Sequence, residues 1–361
     1  MHPFRSIPYK RTCRAVFVAV HDHARSLAVD DSGNVYVTGY SKGTGDSLTN
    51  WDYDYATVKY DADGNELWVA RYNGPSSDYD AADSLAVDSS GNVYVTGVSQ
   101  DNLATVKYDA DGNELWAARY NGTEFDSLRG RSIAVDASGS VYVAGDGYLH
   151  LSATLKYVTV KYDSEGNELW MASNAHTGYD FAVALALDGS GNVYVTGSMA
   201  TVGPGAILTA SDYGTIKYDA DGNELWVAHY SGQDGLDEAA AMAVDGSGNV
   251  YVTGSSQGLG ADNYDYATVK YDTDGNELWV ARYNGTADTH DSSHALALDD
   301  AGNVYVTGSS RMLQQSPDST TVMYSPSGNR LWEAHYQGID DDVACSLALD
   351  GAGNVYVTGA K

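Results

Sequence analysis

The sequence predicts an all-β protein in which four-stranded antiparallel sheets stack radially around an axis, seven in all. Three observations predict it. The phrase GNVYVTG, once GSVYVAG, recurs seven times, with its first glycine at 33, 91, 139, 191, 248, 302 and 353. A second phrase, YDADGNELW or a near relative, ends at Trp68, Trp116, Trp170, Trp226, Trp279 and Trp332. Each repeat holds short runs rich in Val, Tyr, Thr and Leu and broken by Gly-Asn, which suits strands and excludes long helices. A period near 50 residues is that of a stacked repeat architecture.

The second repeat shows the four strands in order: SLAVD (84–88), NVYVTGV (92–98), LATVKYD (103–109) and NELWAARY (113–120). The first two are joined by D-x-[SA]-G-N or a serine variant, the last two mostly by D-x-D-G-N. Both read as three-residue hairpin loops that place glycine in the left-handed region, and the leading aspartate can accept the turn's amides. Leu85, Ala86 and Val87, like Val93, Tyr94 and Val95, put apolar side chains on both faces of the sheet. A two-layer sandwich would leave one face wet and alternate cleanly. Radial stacking buries both faces, so a β-propeller follows.

Six repeats are complete, and the seventh stops after its second strand at Lys361. Tyr9 precedes Phe17 by the same step as Tyr60 precedes Trp68, and Val16-Phe17-Val18-Ala19 overlays Leu67-Trp68-Val69-Ala70. The expected single domain therefore has blades at about 25–72, 83–120, 131–174, 183–230, 240–283 and 294–336. A composite seventh blade, 345–360 plus 5–21, closes the ring. Cys13 and Cys345 then fall on opposite faces of the disc, too far apart for a disulfide.

Composition excludes several functions. The chain has 361 residues, 20 basic and 49 acidic, a net charge of −29. Such a surface repels phosphate backbones and anionic lipid, so nucleic acid is not expected as a partner. No apolar run approaches the ~20 residues that span a bilayer. A hydrophobic share of 43% is too high for a disordered acidic chain. G-x-S-x-G, phosphate-loop and His-Glu zinc signatures are absent.

The segment DYATVKYDADGNELWVARYNG at 54–74, its near-copy at 265–285 and the recurring AVDxSGNVYVTG resemble the bacterial SBBP family, named for its seven-bladed β-propeller repeat. The resemblance covers nearly the whole chain. It implies the propeller and a secreted or cell-surface setting, and it names no ligand. YSPSGNRLW at 324–332 departs from the pattern by losing both turn aspartates. Residues 1–20 are basic, but their apolar stretch Ala15–Val20 is shorter than a secretory core.

Columns fixed in every repeat serve the blade; variable segments are where blades differ. The connections between second and third strands (41–52, 98–102, 198–211, 309–318) and between blades (73–82, 121–130, 174–182, 284–293) vary, and both sets emerge on one face. Loops over a rigid scaffold carry function disproportionately. That face should gather Trp51, Tyr53, Tyr79, Phe125, Tyr148, Tyr179, Phe181 and Tyr264, aromatic surfaces suited to a sugar or peptide. It should also carry an aspartate eight residues before each first-strand Asp: Asp22, Asp80, Asp180, Asp237, Asp291 and Asp342, with Leu128 the exception. Six carboxylates about an axis can hold Ca²⁺, or each can cap its own loop; the repetition favours the cap. No other cofactor is expected.

The function this supports is a non-catalytic, monomeric binding module presenting loops to a protein, peptide or glycan. The alternatives are a loop-built enzyme (a polysaccharide lyase or hydrolase, or a quinone-dependent oxidoreductase) and a structural spacer.

Overall fold

The structure is a computed structural model describing residues 22–43, 52–75, 79–120, 122–174, 176, 178–203, 207–232, 235–258, 263–285, 290–311, 316–338 and 341–360. The described residues are all β and turn. Blade 1 consists of His23–Val29, Val35–Lys42, Tyr53–Tyr60 and Glu66–Tyr72, each strand antiparallel to the next. Blade 2 is Asp80–Val87, Val93–Ser99, Asn102–Tyr108 and Glu114–Tyr120; blade 3 is Ser127–Val135, Val141–Leu149, Thr154–Tyr162 and Glu168–Ser173. Blade 4 is Tyr179–Leu187, Val193–Gly203, Ile207–Tyr218 and Glu224–Tyr230. Blades 5 and 6 repeat the plan over 237–283 and 291–336, and Val343–Leu349 with Val355–Ala360 form a two-stranded sheet. The N-terminal half of the expected seventh blade, with Cys13, lies outside the described residues; Cys345 is an exposed free thiol.

The turns follow from their sequence. In the first hairpin of blade 2, Asp88 accepts the amides of Ser90 and Asn92 at 2.9 Å each, the Asn92 side chain at 2.7 Å and the Tyr94 hydroxyl at 3.0 Å. These bonds hold the Asp88 carboxyl below the usual carboxylate range against the opposing effect of burial.

The core lies between blades. Alternation along VYVTG and ATVKY sorts the residues of each sheet into an aliphatic face and a Tyr/Thr/Lys/Trp face. Tyr36, Tyr55 and Tyr72 of blade 1 pack on Leu85, Val93, Val95 and Val106 of blade 2, and the same pairing recurs around the stack. The Tyr55 hydroxyl donates across the seam to the Ala104 carbonyl at 3.2 Å. Lys59 Nζ and the Trp68 indole N–H both donate to the Ala110 carbonyl, at 3.2 and 3.0 Å. Trp116, Trp170, Trp226 and Trp279 each reach the next blade in the same way. The repeat tryptophans are therefore inter-blade latches. Trp332, with only a two-stranded sheet and no second hairpin described beyond it, is 36% exposed.

Two expectations about the variable face change. The segment 198–211 is not a long loop, because the hairpin ladder continues through Thr201↔Ala210 to Gly203↔Ile207. The ends of the inter-blade connections are strand as well, since first strands begin at Asp80, Ser127, Tyr179, Asp237 and Asp291. A one-residue bulge near the start of each first strand, between Ala82 and Ser84 in blade 2, lets pairing resume beyond it. The bulged strand crosses close to the glycine of VYVTG: a Cβ at Gly97 would collide with the Ala81 carbonyl.

Candidate functional site

A cavity of about 460 Å³ opens on the variable face over blades 2, 3 and 4. It sits over the shortest of the second-to-third-strand turns. Blade 2 reverses through Gln100 and Asp101 alone, at φ of 48° and 62°, the left-handed pair that a tight two-residue hairpin requires. Blade 3 uses four residues for the same reversal, and blade 4 rises to Gly203. The low rim of blade 2 between taller neighbours makes the hollow.

Tyr79, Tyr148 and Phe181 line its walls, one each from the starts of blades 2 and 4 and the second strand of blade 3. Phe181 is 42% exposed. Gln100, Asp101 and Ser127 edge it with polar groups, and Asp101 fixes blade 3 by accepting the Leu128 amide through its carbonyl at 2.7 Å. Beneath them lie two bidentate ion pairs. Arg129 reaches back to blade 2 and grips Asp83, with Nη2 at 2.6 Å from Oδ1. Arg131 holds Asp146 within blade 3, at 2.9 and 3.2 Å. Burial pushes the Asp146 carboxyl above the usual range, even though Arg131 pulls it down. The contact with Asp83 holds the Arg129 guanidinium above its ordinary value.

Four expected aromatics lie elsewhere. Tyr53 meets Tyr79 edge-on at 6.0 Å and Tyr40 at 5.4 Å, and His23 stacks on Tyr40 at 4.8 Å, making a shelf that runs away from the cavity. Phe125 packs into the core with Leu128. Tyr179 forms a parallel bridge to Leu155, and Tyr264 faces His290 at 5.0 Å near blade 6. Trp51 lies outside the described residues.

The aspartate column binds backbone. Asp80, Asp237 and Asp291 accept the amides of Gly74, Gly232 and Gly285 at 2.7, 2.6 and 2.6 Å, and Asp342 accepts that of Gly338. Asp180 instead takes the Asn174 side chain at 2.7 Å and the His176 ring at 2.8 Å. Asp22 holds the same place before blade 1. Among the described residues, no group of three or more His, Cys, Asp or Glu side chains is placed to hold a metal.

Sequence reasoning missed the two arginines and Asp83. Their signal was legible in the pattern D-x-A-x-[SA]-L that opens four of the blades and, in looser form, the other three. The first x reads His23, Ala81, Arg129, Phe181, Glu238, Ser292 and Val343; the second reads Arg25, Asp83, Arg131, Val183, Ala240, His294 and Cys345. Both columns vary widely while the one position between them stays small: Ala, Gly or Ser.

The β-propeller repeat SBBP matches residues 20–45, 67–104, 225–260 and 279–311. An uncharacterized WD repeat-containing protein of Acanthamoeba polyphaga mimivirus is 32% identical over 150 residues, 35% of this chain and 10% of that protein. The chain thus spans about a tenth of that relative. Sqt1 from Chaetomium thermophilum aligns with a TM-score of 0.57 and 12% identity, over 91% of this chain and 75% of that one. An ulvan lyase, from a family of polysaccharide lyases, aligns at 0.54 and 11%, over 89% and 84%. At these identities the likeness is one of fold.

Proposed function

The chain carries SBBP β-propeller repeats, and from that premise we propose that it is a non-catalytic module that binds a glycan in the cavity over blades 2–4. The observation that carries this is the convergence of Tyr79, Tyr148 and Phe181 from different strands on one hollow with a polar rim. Aromatic faces bury the apolar face of a sugar ring, while Gln100, Asp101 and Ser127 can meet its hydroxyls. Both arginines beneath are held in bidentate pairs with carboxylates that offset their charge, and they shape the floor. A secreted or surface setting belongs to the same reading. Phe181→Ala and Tyr148→Ala should each weaken glycan binding by roughly ten- to a hundred-fold without unfolding the blade. Glycan and peptide arrays on wild type and both variants test this. Hits indifferent to both substitutions, or hits among peptides alone, would defeat it.

A second reading, an enzyme, is favoured by one observation: the raised Asp146 carboxyl in the cavity. Asp146→Asn separates the two, since a binder keeps its ligand and an enzyme loses turnover.

We also propose that residues 5–21 complete the seventh blade. The two-stranded terminal sheet leaves Tyr356 and Val357 exposed, and Leu27 and Val29 of blade 1 are exposed as well. Among the described residues, Trp332 makes no indole bond to a following blade of the kind the other five repeat tryptophans make.

A further inference from the structure

The two most alike repeats differ just ahead of their third strands. Blade 1 reads Asp52-Tyr53-Asp54 where blade 5 reads Asn263-Tyr264-Asp265. The backbone is the same in both: the Asp52 carbonyl accepts the Gly43 amide at 2.8 Å, and the Asn263 carbonyl accepts that of Gly258 at 2.7 Å. Blade 1 therefore gains a carboxyl group with no change of path. In extended chain, residues two apart share a face, so Asp52 and Asp54 lie together.

Neither is solvated. Asp52 is 2% exposed and Asp54 4%, and Asp80, arriving from blade 2, is fully buried. Among the described residues, Oδ1 of Asp52 and of Asp54 is buried with no hydrogen-bond partner, as is Oδ1 of Asp265 in blade 5. The cation that serves blade 5 has moved away in blade 1. Arg282 donates to Asp265 Oδ2 at 2.8 and 3.2 Å. Arg71 stands 3.7 Å from Asp54 Oδ2 and donates instead to Ser41 Oγ at 2.8 Å and the Lys42 carbonyl at 3.3 Å. Two buried carboxylates thus face one distant guanidinium, where Asp265 alone has a close one. A buried charge without a partner takes up a proton or a counter-ion.

We propose that Asp52 and Asp54 bind a hard divalent cation of the Ca²⁺ class, with their orphaned Oδ1 atoms as ligands. All-oxygen donors select such ions over transition metals. Since no trio of acidic side chains converges among the described residues, water and backbone carbonyls supply the other positions, as is usual for Ca²⁺. This site is independent of the glycan cavity.

The test is calorimetric titration of Ca²⁺ into EDTA-treated wild type, Asp52→Asn and Asp54→Asn, with Tb³⁺ luminescence sensitised by tyrosine as a second readout. Asp52→Asn installs the residue that blade 5 carries, so the fold persists; thermal melts confirm it. Expected is one ion per chain in wild type, with affinity at least about ten-fold lower in each variant and the Tb³⁺ signal lost. Binding that is equal in wild type and Asp52→Asn, or absent from wild type, overturns the proposal. So does a wild type that ignores Ca²⁺ but gains stability over Asp52→Asn at pH 5, which assigns a shared proton.

Discussion

Gly112→Ala lowers folding stability by about 3 kcal/mol. Gly112 closes the second hairpin of blade 2 at φ +86°, where a side chain costs about 1 kcal/mol on its own. The added Cβ would stand 2.7 Å from Trp68 Cδ2 and 2.9 Å from Cγ. The indole must lift away and give up its bond to the Ala110 carbonyl. Gly64 supplies the control. It occupies the same turn of blade 1 at φ +83°, and a Cβ there meets nothing within 4 Å among the described residues. With the turn alone at stake, Gly64→Ala costs about 1 kcal/mol. Urea midpoints of both variants check it: equal losses at Gly64 and Gly112 would mean that displacing the Trp68 indole costs nothing.

Arg131→Ala destabilises the protein at pH 7 by about 3–5 kcal/mol, because it strands Asp146 as a buried, unpaired carboxylate. Its pH dependence has a definite sign. Burial already holds the Asp146 carboxyl above its ordinary value of 3.8 in the folded state, so the native protein binds that proton more tightly than the unfolded chain does. Stability attributable to this group therefore rises as pH falls through the raised folded pKa toward 3.8. Removing Arg131 removes the downward pull and widens the window. The gap between wild type and Arg131→Ala should narrow from pH 7 to pH 4.5, and Arg131→Ala/Asp146→Ala should recover most of the loss at pH 7. A gap that stays constant with pH would mean that water reaches Asp146 once the arginine is gone.

The blade was legible because its rules are local. The period, the aspartate-to-glycine turns and the alternation of Val with Tyr each specify a strand or hairpin without knowledge of distant residues. The tryptophans could be assigned to packing because their column never varies. The cavity was only partly legible. Tyr79, Tyr148 and Phe181 were expected on the right face, but Tyr53, Phe125, Tyr179 and Tyr264 obey the same rule and do not line the cavity. What separates them is relative height: the hollow exists because Gln100-Asp101 is short beside its neighbours, whereas attention to variable segments favours long ones. The bulges were invisible as well, since one extra residue leaves composition unchanged. They put Arg131 and Asp83 in a strand that reads as core.

The indole latch runs in one direction, from each blade to its successor, so each tryptophan senses a hairpin that is not its own. Emission from Trp68 should respond when blade 2 loosens and stay steady when its own turn does, and Trp116 should do the same for blade 3. A set of variants each keeping one indole would then give this protein a built-in optical address for each of the five described seams, by which the order of their opening during unfolding can be read.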